Sequence, residues 1–189
     1  MKNKMEGHHL ILGKTTDFIT GKTIEDSHDE RYRQKIARLL VDIKLYEKKD
    51  VTPRYDLLAR AGNKKAIIKV DFLILLDNRI CMIIKYGPGS ITTRHRPAIA
   101  ASRLVAEYQI PVVVVTNGED ADILEGLTAK IISSGLDTIP AKPELIKLSE
   151  RFAFPIIPAA RAEAESRILY AYDIDGSCPC DNSICRIES

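Results

Sequence analysis

The chain has 189 residues, of which 45% are hydrophobic and 29% charged, with a formal net charge of +2. That length supports one domain with a substantial buried core, and that composition excludes a disordered chain. A net charge so close to zero does not announce nucleic-acid binding, so any electrostatic argument rests on local clusters.

In chain order, residues 1–26 read as an irregular, partly extended lead-in. Ser27 followed three residues later by Glu30 is a capping box that opens a first helix. Tyr32, Ile36, Leu39, Leu40 and Ile43 form its apolar stripe, and the pattern runs to about Tyr46. Thr52-Pro53 breaks any helical continuation. Asp56 to Arg60 is a candidate first strand. Ala61-Gly62-Asn63 makes a turn, and AIIKVDFLILL follows as a strand rich in β-branched residues. Asp77-Asn78 turns the chain, ICMIIKY returns as the partner strand, and Gly87-Pro88-Gly89 ends it. A second helix starts near Pro97, with Ala101, Leu104, Val105 and Tyr108 on its apolar face. PVVVV is a short buried strand, closed by the polar turn TNGED. Helices are expected over Glu144 to Arg151 and Ala159 to Tyr172. The expected fold is α/β: a mixed sheet in an α-β-β-β-α-β core, flanked by helices, with C-terminal helical additions. The domain spans 27–172 and leaves a cysteine-containing tail, 173–189.

Asp71 and Lys85 stand out chemically. A carboxylate inside an apolar run is costly unless it is paired or holds a metal, and the lysine lies on the neighbouring strand of the hairpin. Carboxylates that hold a divalent cation, with a lysine beside them, can orient a water and offset charge on a phosphoryl group. A structural Asp71–Lys85 salt bridge accounts for the same residues. Alternation along the second strand puts Cys81, Ile83 and Lys85 on one face. A two-residue Asp77-Asn78 loop alone would pair Asp71 with residue 84. Facing Asp71 and Lys85 therefore requires a three-residue loop, Asp77 to Arg79, or a compensating bulge.

DERYRQ, KVDFLILL, MIIKYGPGS and VVVVTNGEDADIL, taken in this order from about Asp29 to Leu124, resemble the PD-(D/E)XK, restriction-endonuclease-like superfamily. Specifically, they resemble the N-terminal domain of type I restriction enzyme R subunits. The resemblance implies a nuclease fold with DNA as partner, and Asp71, Lys85 and Glu30 as the catalytic set. It further implies that Asp71 and Glu30 hold Mg²⁺ or Mn²⁺. The second acid, two residues before the lysine, is replaced by Ile83. A Gln-x-x-x-Tyr element is also missing, Arg96 and Ala100 standing in its place. The expectation is therefore a nucleic-acid-associated domain that is degenerate as a nuclease; the alternative is an active Mg²⁺-dependent DNA endonuclease. Glu30 can equally serve only the capping box.

Arg94 and Arg96 flank His95 after the GPG loop and before the second helix. A helix start attracts phosphate, and two arginines would reinforce it; a solvated basic turn is the plain alternative. Cys81 reads as a small core residue. Cys178, Cys180 and Cys185 supply three thiols of a zinc site. They do not complete the usual spacing of one, so a thiol-bearing tail is the expectation and zinc the alternative. No apolar run approaches the roughly 18 residues of a membrane span. With no signal-peptide pattern, a soluble cytoplasmic protein is expected, without a membrane partner. A protein partner or a homodimer stays open.

Overall fold

The computed structural model describes residues 11–175. Two short strands, β1 (Gly13–Thr16) and β2 (Thr23–Asp26), form an antiparallel hairpin in the extended part of the lead-in. Helix α1 (His28–Arg38) starts at Ser27, whose Oγ accepts the Glu30 N–H at 3.2 Å. After Arg38 the helix widens into a π-turn over Leu39–Ile43. The extra residue per turn breaks the stripe expected from a 3.6-residue period. Ile36 and Leu40 stay in the core, whereas Ile43 is exposed.

A six-stranded sheet follows, in the order β3 (Val51–Ala61), β4 (Lys64–Leu76), β5 (Arg79–Tyr86), β6 (Val112–Thr116), β7 (Ala121–Glu125) and β8 (Ile131–Ser134). All neighbours are antiparallel except β5 and β6, which run parallel. A parallel pair needs a crossover connection, and α2 (His95–Ser102) lies within it. Pro53 sits inside β3, which is tolerated because β3 is an edge strand. The α-β-β-β-α-β order is present, extended by β7 and β8, which sequence patterning missed. Each is at most five residues long, and β8 is largely exposed, so neither carries a strong apolar signal.

Helices α3 (Lys142–Arg151) and α4 (Ala159–Asp175) are the C-terminal additions. One core cluster joins Ile36, Ala37 and Leu40 of α1 and Leu145 of α3 to Phe72, Ile74, Met82, Ile84, Val112 and Val114. The other joins Ala98 to Ala101 of α2 and Leu169 of α4 to Leu73, Ile83, Val113, Val115 and Leu124. The fold is thus mixed α/β, with helices on both faces of the sheet. Helix α2 is shorter than expected, ending at Ser102. Leu104, Val105 and Tyr108 lie in the turns after it, where Gln109 ties the segment back by donating to Ser102 Oγ at 3.2 Å. Among the described residues no helix is long and apolar enough to cross a membrane.

Candidate functional site

The hairpin of β4 and β5 turns through Asp77 and Asn78, both with positive φ (48° and 62°). That conformation suits a two-residue loop whose twist matches its strands. Leu75 pairs with Ile80 but Ile74 pairs with Met82, so Cys81 is the extra residue of a bulge. The bulge restores the register: Leu73 pairs with Ile83 and Phe72 with Ile84. The recorded pairs end there, one short of Asp71 and Lys85, and the Tyr86 N–H goes to the Asp71 carboxylate. Cys81 does not share a face with Ile83, contrary to simple alternation. It packs beside Met82 in the α1-side cluster, while Ile83 belongs to the other cluster.

Asp71 lies where β3 and β4 turn over. Phe72 and Ile74 belong to the α1-side cluster, but Ile68 and Val70, before Asp71, belong to the opposite one. Val51 and Leu57 on β3 change sides in the same way. The strand partners recorded on either side are Pro53 with Phe72 and Tyr55 with Val70. Arg54, between them, has φ 52°, in the left-handed region that a non-glycine residue seldom adopts.

This step gathers three buried carboxylates, those of Asp17, Glu30 and Asp71. Asp71 Oδ1 accepts from Arg33 Nε at 2.6 Å, and Oδ2 accepts the Tyr86 backbone N–H at 2.7 Å. Arg33 also reaches toward Glu30, with 4.0 Å between NH1 and Oε2. Only half of the expected capping box forms: Ser27 accepts the Glu30 N–H, but the Glu30 carboxylate turns inward and not back to Ser27. Oε1 accepts from Gln34 Nε2 at 2.8 Å and pairs with Arg54 NH2. The other arm of Arg54 donates to Asp17 Oδ2 at 2.6 Å, and Gln34 Nε2 donates to the same oxygen at 3.0 Å. Burial lowers the Arg33 pKa, but Asp71 and Glu30 outweigh it, and the guanidinium is held more firmly protonated than usual. Burial raises the Asp17 carboxyl, but the Thr20 N–H, Arg54 and Gln34 together hold it far below the ordinary carboxylate range.

The sequence singled out Asp71 and Glu30, and the structure brings both into one network. Lys85 is half-buried on the neighbouring strand. Asp17, Arg33, Gln34 and Arg54 escaped notice, because charged residues in a lead-in, on a helix and on an edge strand read singly as solvated. The spacing of Glu30, Arg33 and Gln34 was the available signal, since i, i+3 and i+4 share a helix face.

Arg94 and Arg96 do not converge. The Arg94 guanidinium lies against Gly87, where any Cβ would collide with it, and donates from NH2 to the Pro88 carbonyl at 2.9 Å. Arg96 instead turns toward α4, with NH1 2.6 Å from Oε2 of Glu165. Between them, His95 Nε2 lies 2.8 Å from Asp122 Oδ2. A separate open groove of about 480 Å³ runs between the β1–β2 hairpin and the outer face of α1. Arg31, Lys35 and Arg38 line it with Thr15, Asp26 and Gln34.

As a divalent-metal centre the network fits poorly. Arg33 spans the space between Asp71 and Glu30, and both oxygens of Asp71 and Oε1 of Glu30 already accept from guanidinium and amide groups. Among the described residues no three His, Cys, Asp or Glu side chains are gathered to hold a metal ion. Cys178, Cys180 and Cys185 lie outside the described residues.

The family model for the type I restriction enzyme R protein N terminus matches residues 28–140, more than half of the chain. The chain belongs to this family. The matched span opens with α1 and closes after β8, so it holds the whole six-stranded sheet, Glu30, Arg33, Asp71 and Lys85. β1, β2 and Asp17 precede it, and α3 and α4 follow it. No curated protein and no solved structure matches the chain significantly.

Proposed function

We propose that this restriction-enzyme R N-terminal domain keeps a restriction-endonuclease-like fold and associates with nucleic acid without cleaving it. The observation that carries this reading is Ile83. It stands two residues before Lys85, where the PD-(D/E)XK pattern has an acid, and it is sealed in the core at 0% exposure. An isoleucine side chain there offers a cation no oxygen, and a carboxylate in the same place would be buried among Leu73, Val113 and Val115. The basic groove on α1 supports association with a polyanion. Arg31 is paired with Asp26, but Lys35 donates to a neutral carbonyl, that of Gly118, and Arg38 stacks over the Phe18 ring. The last two therefore keep their charge for a phosphate.

The second reading is an Mg²⁺-dependent DNA endonuclease using Asp71 and Lys85. It is favoured by the Cys81 bulge, which shifts the register to the phase that a facing Asp71 and Lys85 require. One pair of measurements decides between the readings. The chain is incubated with supercoiled plasmid and single-stranded DNA in Mg²⁺ and in Mn²⁺, and its binding to both is titrated across salt concentrations. Binding that weakens as salt rises, with no nicking, is expected. Metal-dependent nicking that is lost in Asp71→Asn would replace this reading with the second; absence of binding would remove the nucleic-acid role.

A further inference from the structure

We propose that Arg33 is a built-in cation, occupying between Asp71 and Glu30 the place a divalent metal ion would take, so that removing it creates a metal site. The starting point is charge. Three carboxylates are at least nine-tenths buried here: Asp17 is 2% exposed, Asp71 5% and Glu30 7%. Such groups stay ionised inside a protein only when cations or hydrogen-bond donors face them. Arg54 and Gln34 serve the Asp17–Glu30 half of the network. The Glu30–Asp71 half depends on Arg33, which bonds Asp71 at 2.6 Å and stands 4.0 Å from Glu30.

Two features make Arg33 a replacement for an ion rather than one more surface pair. First, the one guanidinium of Arg33 meets both carboxylates, Asp71 at 2.6 Å and Glu30 at 4.0 Å, as a single bridging ion would. Second, the Asp71 carboxylate is fixed from its other side by the Tyr86 N–H at 2.7 Å, a backbone donor that remains when Arg33 is lost. One carboxylate anchored by the sheet and a second anchored by α1 are what Mg²⁺ or Mn²⁺ needs, with water completing its coordination. The Arg33 side chain is 27% exposed, so an ion arriving from solvent has a way in. The guanidinium gives the fold the compensation an ion would give, but it is tethered and offers no open coordination position.

The inference concerns metal binding alone, so a chain that fails to bind nucleic acid leaves it standing. The test uses the full chain, Arg33→Ala, the milder Arg33→Gln, and Arg33→Ala combined with Asp71→Asn. Free Mn²⁺ is followed by its paramagnetic resonance signal, and melting is recorded in chelator and in Mn²⁺. Expected is no stoichiometric Mn²⁺ binding by the parent, and binding at least tenfold tighter by both single variants. The combined variant should lose that binding, and the melting temperatures of the single variants should rise in Mn²⁺. A parent that binds one Mn²⁺ per chain and loses it in Asp71→Asn overturns the inference. So do single variants that bind no more tightly than the parent, or that fold neither in chelator nor in Mn²⁺.

Discussion

Two clusters of buried charge can be set side by side, one where α1 meets β3 and β4, the other where α2 meets α4. The first gathers Asp17, Glu30 and Asp71 around Arg33 and Arg54. The second gathers Arg96, Arg103 and Arg161 around one carboxylate, Glu165, which is 1% exposed. In the first, three acids share two arginines; in the second, three arginines share one acid. They also differ in what they join. The acids of the first come from the lead-in, a helix and a strand, so its ion pairs hold separate elements together. In the second a single side chain of α4 is the hub, and Arg103 continues the network to Gln109 at 3.0 Å. A shared negative charge can lose one member and remain compensated. A hub cannot.

The sharpest way to break that contrast is Glu165→Ala. It leaves Arg103, itself only about a tenth exposed, facing two other guanidiniums with no anion between them. Removing one partner of a buried ion pair costs about 3–5 kcal/mol. Urea unfolding should show a loss of that size, together with weaker protection of α4 amides from hydrogen exchange. A loss under ~1 kcal/mol would mean that apolar contacts such as Leu169, and not the carboxylate, hold α4.

Asp17→Asn should cost less, about 1–3 kcal/mol, because the amide still accepts hydrogen bonds and the excess of acid falls. Its effect on acid unfolding sharpens the comparison. Asp17 is held below its unfolded value near 3.9, so its stabilisation is complete above that pH and is lost as the pH falls through the lower folded value. Glu165 behaves in the same direction. Burial opposes it, but Arg96, Arg161 and Arg103 hold its carboxyl below the ordinary range. Stability of the parent should therefore decline steeply below about pH 4, and Asp17→Asn should be less stable at pH 7 but flatter in that window. Identical slopes for parent and variant would remove Asp17 from the acid response. The smallest effect is expected from Arg161→Ala, under ~1 kcal/mol, since Arg161 is the most exposed of the three arginines.

Much of the fold was legible in the sequence for a plain reason. Runs such as AIIKVDFLILL and ICMIIKY are apolar and β-branched throughout because both sheet faces are covered by helices, and they are bounded by residues suited to turns. β7 and β8 were not legible: Ala121–Glu125 looks like the end of a polar turn, and Ile131 and Ile132 lie exposed near the sheet's edge. At the candidate site, Asp71 was conspicuous as the one acid in an apolar run. Arg33 was not, because an arginine on a helix that also carries Arg31, Lys35 and Arg38 has no local mark. Its partner is 38 residues away, brought close only when α1 docks on the sheet. The turn at Arg54 was hidden likewise, since an arginine after Pro53 gives no sign of a positive φ.

The bulge at Cys81 works as a parity switch. Between the Asp77-Asn78 turn and Cys81, β5 is paired in one phase; beyond it, every residue is offset by one. Everything downstream inherits that offset, including Ile83 in its core cluster, the pairing of Ile84 with Phe72, and the parallel pairing of Ile83 with Val113. A substitution at Cys81 alters one side chain, whereas deleting the residue would exchange inside for outside along the rest of the strand. Deletion of two residues would restore the phase and shorten the reach. The hairpin therefore tolerates changes of identity far better than changes of count, and a thiol with no assigned chemistry holds its place by arithmetic.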